Sequence, residues 1–128
     1  MAASVYTGKG RDFAYTNNTG GNVRVIIYWL HIYWNSSEYV KLVWGDLNGT
    51  SEDYVEHIID EGQNGQIRFG KGVAAYVEGD RAINNAYAQD SFAAPTEIFL
   101  ANGHVFRITA EEDEDVKGYN VVIIPEDG

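Results

Sequence analysis

The run at residues 22–34, Asn-Val-Arg-Val-Ile-Ile-Tyr-Trp-Leu-His-Ile-Tyr-Trp, most limits what this chain can fold into. It is the longest succession of large β-forming residues in the sequence, and successive side chains of a strand point to opposite faces. One face then carries Val23, Val25, Ile27, Trp29, His31 and Tyr33, and the other Arg24, Ile26, Tyr28, Leu30, Ile32 and Trp34. Neither face is polar, whereas an antiparallel sheet with one side in water alternates apolar with polar. Leaving such side chains in water forgoes roughly 1.5–3 kcal/mol each. Both faces are therefore expected to be covered, by a second layer of this chain or by another subunit. Thirteen residues at ~3.3 Å each span about 43 Å, more than a sandwich of this size readily covers. Either a bulge or bend hands the strand from one sheet to the other, or a neighbouring subunit covers part of it. The segment from Trp29 to Trp34 is the expected place of that contact.

The remaining sequence supplies short strands and turns. Fourteen Gly, nine Tyr, two Pro and one Met, without long Ala/Leu/Glu/Lys segments, disfavour a helix bundle. Strands are expected at 5–7, 12–16, 38–44 (an antiparallel return on the long run), 67–69, 73–77, 96–100, 104–110 and 119–124, besides the long run. Residues 53–60 fit a helical stripe as well as a strand, and their Val, Ile and Tyr favour the strand. Asn64-Gly65 and Asn102-Gly103 read as hairpin turns, the second of type I′ between 96–100 and 104–110. Between Glu78 and Ala94 the period is lost, and a long irregular loop is expected near residues 78–95. Turn signals every 8–12 residues give an all-β fold, one antiparallel β-sandwich or jelly roll over residues 1–128.

Composition narrows the function classes. A net charge of −10 argues against nucleic-acid binding, which needs clustered Lys and Arg. There is no Cys, hence no disulfide, thiolate metal site or cysteine nucleophile. No 18-residue apolar run is present to cross a membrane. The opening Met-Ala-Ala-Ser lacks the basic start and apolar core of a signal peptide, so the Asn-x-Ser/Thr triplets at Asn17, Asn35 and Asn48 read as turn residues.

Chemistry-bearing residues are sparse. His31, His57 and His104 stand in no His-x-His or His-Glu-x-x-His arrangement. The five carboxylates from Glu111 to Asp115 lack the spacing and Gly turn of a calcium loop and read as a solvated acidic loop. Asp46-Leu47-Asn48-Gly49 has the start of such a loop without its bidentate Glu. Gly8-Lys9-Gly10 and Gly70-Lys71-Gly72 are too short for phosphate loops. No nucleophile elbow is present. No catalytic, metal or cofactor residue is expected, and the chain reads as a non-enzyme. Trp29, Trp34, Trp44 and the tyrosines suit a core or interface, or alternatively stacking on sugar rings in a groove beside residues 78–94.

Three stretches carry a resemblance. Pro95-Thr96-Glu97-Ile98-Phe99-Leu100-Ala101-Asn102-Gly103-His104-Val105-Phe106-Arg107-Ile108, the ending Tyr119-Asn120-Val121-Val122-Ile123-Ile124-Pro125-Glu126, and the early Thr16-Asn17-Asn18-Thr19-Gly20-Gly21-Asn22-Val23-Arg24-Val25-Ile26-Ile27 resemble small structural proteins of marine cyanobacterial tailed phages. The resemblance covers about half the chain and leaves out residues 36–94. It implies a β-rich, oligomeric virion component, a capsid decoration or a tail- or fibre-associated module, assembled in the host cytoplasm. The absence of a repetitive or coiled shaft favours a compact decoration or adaptor. Self-association, as a trimer, and docking on other virion proteins are expected through Ile26, Tyr28, Trp29, Leu30, Ile32, Tyr33 and Trp34. A host-glycan attachment module is the alternative. Neither reading involves a cofactor, nucleic acid or a membrane.

Overall fold

The computed structural model describes residues 3–34, 39–59, 65–79 and 95–126. Over these residues the protein is a β-sandwich of two antiparallel sheets. The strands are β1 (Ser4–Gly8), β2 (Phe13–Thr16), β3 (Val23–Trp34), β4 (Val40–Gly45), β5 (Tyr54–Ile59), β6 (Gly65–Gly70), β7 (Val73–Gly79), β8 (Glu97–Leu100), β9 (Val105–Ala110) and β10 (Val116–Pro125). Sheet A runs β1-β10-β3-β6-β7, with β8 also on β3, and sheet B runs β2-β9-β4-β5. The ambiguous stretch at 53–60 is thus strand β5. The strand expected at 73–77 runs to Gly79, so β7 takes in the start of the expected loop. Residues 80–94 lie outside the described residues.

Strand β3 organises sheet A. One edge pairs along its length with β10. The other edge is shared: Val23 to Ile26 pair with β8, and Leu30 to Trp34 with β6. Where those partners meet, β3 carries a bulge, because Asn120 faces Trp29 while Val121 faces Ile27 and Tyr28 is the extra residue. A bulge leaves backbone groups unpaired. Here the tip of the β6–β7 hairpin takes them up: Lys71 N–H donates to the Ile27 carbonyl (3.0 Å) and Gly72 N–H to that of Tyr28 (2.8 Å), while Ile27 N–H donates to Thr96 O (2.9 Å). Gly70 is required there. Its φ is +147°, and a β-carbon would run into the Tyr28 carbonyl group and lie 2.8 Å from Trp29 N.

The extra residue flips the alternation. Before it Val23, Val25 and Ile27 point inward; after it Leu30 and Ile32 do, all at 0% exposure. They meet Val40, Leu42, Phe106 and Ile108 of sheet B and Ile98, Leu100, Val121 and Ile123 of sheet A in one continuous core. A bulge does lie within the long run, but β3 stays in sheet A along its whole length, so it does not hand the strand from one sheet to the other as one expected alternative had it.

Two expected hairpins are not hairpins. β8 belongs to sheet A and β9 to sheet B, so the chain crosses between layers at Asn102-Gly103. His104 N–H donates to Ala101 O (3.0 Å), and only Gly103 has positive φ (+86°). Type I′ needs positive φ at both central residues, and this pattern fits type II. Likewise β5 and β6 flanking Asn64-Gly65 lie in different sheets. The strand expected at 38–44 as an antiparallel return on the long run is β4, which pairs instead with β5 and β9. The local hairpins are β4–β5 and β6–β7.

A buried side chain fixes the crossover. Asn17, at 0% exposure, donates through Nδ2 to the carbonyls of Gly21 (2.8 Å) and Leu100 (2.9 Å). Its Oδ1 accepts from Thr19 N–H (3.1 Å) and the Thr19 hydroxyl (2.7 Å). Its backbone N–H donates to His104 O (2.9 Å), and its carbonyl accepts from Gly103 N–H (2.7 Å). Gly20 N–H completes the junction on Asn102 Oδ1 (2.8 Å). One asparagine ties the β2–β3 turn to the β8–β9 turn, with its hydrogen-bonding groups occupied.

Candidate functional site

The two outer faces of the sandwich differ in chemistry. On sheet B the outward residues include Lys41, Glu56, Arg107 and Thr109, with Lys41 3.5 Å from Glu56 and its ammonium 4.5 Å over the Tyr39 ring. That face mixes the Lys41–Glu56 pair with apolar residues: Ile58, 49% exposed, stands beside Lys41 in register, and Val43 stands between Glu56 and Arg107.

Sheet A turns out a different surface. Pairing register sets Val5 beside Val122, Val122 beside Ile26, and Ile26 beside Glu97, one outward row across four strands. The next row joins Ile124, Arg24 and Phe99. Val5 is 61% exposed, Phe99 63% and Tyr28 49%, while Ile26, Val122 and Ile124 are half-buried. Arg24 and Glu97 bring charge into these rows as an ion pair at 3.6 Å, and Glu126 lies 4.0 Å from Arg24. Beyond the bulge the outward residues of β3 are aromatic. Trp29 lies over Gly118, where any β-carbon would meet the ring at 2.7 Å, and packs edge-on to His31 at 6.0 Å. Lys117 sits 5.1 Å over the Tyr33 ring.

The seven residues named from the sequence therefore separate. Ile26, Tyr28, Trp29 and Tyr33 belong to this outer face. Leu30 and Ile32 do not: the bulge turns both into the sandwich core at 0% exposure, where they have no surface to offer a partner. Trp34 closes β3 opposite Gly65, and its side chain lies outside what the structure describes. Val5, Phe99, Val122 and Ile124 complete the face and were not singled out. Their signal was present in the alternation of residues 119–124, where Val122 and Ile124 are apolar on the side facing away from the core.

The charged candidates have structural employment. In the 111–115 run, Asp113 accepts from Arg11 N–H (3.0 Å), and Arg11 Nη1 donates to Glu111 O (2.6 Å). Asp115 turns inward, at 0% exposure, and accepts from Glu112 N–H (3.2 Å), capping a short 3-10 turn at Asp113–Asp115. The 46–53 loop is closed the same way: Asp46 accepts from Asn48 N–H (3.1 Å), and Asp53 from Thr50 N–H (2.8 Å). Among the described residues no three of His, Asp or Glu come together as metal ligands would. His57 on β5 is held below its ordinary pKa by desolvation. Trp44 packs against the core. Residues 80–94, beside which the sugar-binding groove was expected, lie outside the described residues.

No helix among the described residues is long and apolar enough to cross a membrane. Comparison with protein-family models, with curated proteins and with solved structures returns no match.

Proposed function

We propose that the chain is a non-enzymatic structural module of a tailed-phage particle. It self-associates and docks on the particle, with the outer face of sheet A seated against another protein surface. The observation that carries the docking is the pair of adjoining apolar rows on the outer face of sheet A. Val5, Ile26, Phe99, Val122 and Ile124 form them, and the charges within them, Arg24 and Glu97, pair with each other at 3.6 Å. Exposed contiguous apolar surface of this kind marks an interaction site. The placement of the phage module on a virion is supported by the resemblance of residues 16–27, 95–108 and 119–126 to small virion proteins. The acidic balance, −10 overall, keeps the remaining surface soluble.

The experiment is cross-linking mass spectrometry on particles assembled with the wild-type chain and with Phe99→Glu. The wild type is expected to be incorporated, with cross-links from Lys117, which lies over the Tyr33 ring of the face, to a capsid or tail protein. Phe99→Glu is expected to lower incorporation tenfold or more, the loss of an interface anchor worth about 1.5–3 kcal/mol. Unchanged incorporation of a folded Phe99→Glu chain refutes docking through this face. Absence of the wild-type chain from the particle refutes the structural role.

A further inference from the structure

Sheet edges offer unpaired backbone groups, and edge strands commonly carry a charge, a proline or a bulge that keeps a second chain away. Among the described edge strands, β5 carries Glu56, β7 Glu78 and β8 Glu97. β1 carries none of these devices. Its sequence Ser-Val-Tyr-Thr-Gly has no charge and no proline, its register on β10 runs without a shift, and all five residues are exposed. β2, the edge of sheet B beside it, is uncharged as well. Tyr6 on β1 lies 5.8 Å from both Phe13 and Tyr15 on β2. An open cleft of about 600 Å³ runs along this side, with Tyr6, Phe13 and Tyr119 among its lining.

We propose that β1 pairs antiparallel with β1 of a second copy across a two-fold axis, extending sheet A through both molecules. The second copy is the occupant because the strand is complementary to itself. Full overlap sets Tyr6 against Tyr6, Val5 against Thr7 and Ser4 against Gly8, so no charge within the seam meets a like charge. Two chains of net charge −10 repel over most of their surfaces; β1 itself carries no charge, and the cleft beside it sets Lys9 among Asp12 and Asp113, so a second copy approaching along this edge meets both signs. The second Tyr6 adds its ring to the Tyr6–Phe13–Tyr15 group at the mouth of the cleft. A strand added to an exposed edge takes its affinity from main-chain hydrogen bonds and its specificity from such pockets. Two-fold pairing closes at two copies, in place of the trimer expected from the sequence. The seam is an edge and not the outer face, so it stands apart from the docking proposed above.

The chain has no cysteine, so an introduced one reports only its own contact. Opposed residues of an antiparallel pair lie about 4.5–5.5 Å apart at Cα, within disulfide reach. Tyr6→Cys at ~50 µM, a concentration suited to small interfaces, is expected to run mostly as a disulfide dimer on a non-reducing gel after mild oxidation. Phe99→Cys on the outer face is expected to stay monomeric in the same gel. The wild type is expected to sediment as a dimer, and Tyr6→Lys as a folded monomer that unfolds in one cooperative transition. Tyr6→Cys cross-linking no more than Phe99→Cys overturns the proposal, as does a wild type that sediments as a monomer or a trimer. Cross-linking through Phe99→Cys alone overturns it too, and moves the contact between copies to the outer face of sheet A.

Discussion

Replacing Asn17 tests the crossover junction, because aspartate keeps its shape and removes only its donors. In the folded protein Nδ2 reaches the carbonyls of Gly21 and Leu100 at 2.8 and 2.9 Å. An ionised aspartate places an oxygen there, against two carbonyl oxygens and with no water at a site of 0% exposure. The Thr19 hydroxyl, 3.1 Å from Gly21 O, has a single proton and gives it to the side-chain oxygen of residue 17, so both carbonyls lose their donor. A stranded buried polar group costs about 1–3 kcal/mol, and the buried charge adds to it. Asn17→Asp is therefore expected to lose about 3–5 kcal/mol at pH 7. Asn17→Ala loses all four side-chain bonds without adding a charge, about 2–4 kcal/mol at ~1 kcal/mol net each. With a urea slope of about 1.5 kcal/mol/M, the aspartate variant's midpoint falls by ~2–3 M. The pH dependence separates the two variants. Burial beside carbonyls raises the introduced carboxyl above its unfolded value of about 3.9. Its folded-state penalty is present at pH 7 and fades as pH drops through the raised pKa, since the protonated acid donates one hydrogen bond. The gap between Asn17→Asp and wild type is thus expected to narrow between pH 7 and pH 4, while the gap for Asn17→Ala stays flat. An aspartate variant as stable as wild type at pH 7, or a gap that does not change with pH, refutes the role given to Nδ2.

Two further outcomes follow from the geometry. Gly70→Ala is expected to cost about 3 kcal/mol, combining strain at φ +147° with a β-carbon driven into the Tyr28 carbonyl. Gly103→Ala, at φ +86° with nothing within 4 Å, is expected to cost about 1 kcal/mol by comparison; equal costs in urea unfolding would remove the claim that the β6–β7 tip is wedged against the bulge. Desolvation lowers the pKa of His57, so the unfolded chain takes up a proton near its ordinary value of 6.5 that the folded chain resists. Stability is therefore expected to fall between pH 7.5 and pH 5.5 more steeply in wild type than in His57→Gln, and parallel midpoints over that window would exclude the effect.

Which residues become strands was legible in the sequence, because Val, Ile, Tyr and Trp in alternation have few other uses. Which sheet each strand joins was not. Asn102-Gly103 has the composition of a type I′ hairpin, yet β8 and β9 part company there. The turn is held instead from outside, by Asn17 and the backbone at residues 17–20, some eighty positions away in the chain. Asn17 itself looked like one more residue of a polar turn, since nothing in Thr-Asn-Asn-Thr-Gly-Gly says which asparagine is buried. Register between distant strands decides such matters, and single-sequence patterns carry little of it.

The bulge at Tyr28 was hidden for a sharper reason. A one-residue slip reveals itself when it moves polar residues to the apolar side, but both faces of residues 23–34 are apolar on either side of the slip. What the bulge does is sort the apolar residues by kind. A straight strand would carry Trp29, His31 and Tyr33 into the core behind Val23, Val25 and Ile27, and would turn Leu30 and Ile32 outward. With Tyr28 added, branched aliphatics fill the core throughout, and the rings with polar handles face out. Tyr and Trp suit a surface that is apolar in the middle and wet at the rim, and Leu and Ile pack a core without a polar group to satisfy. The same extra residue thus completes the inner layer and furnishes the upper half of the outer face. Removing it, by deleting Tyr28, would exchange one set for the other.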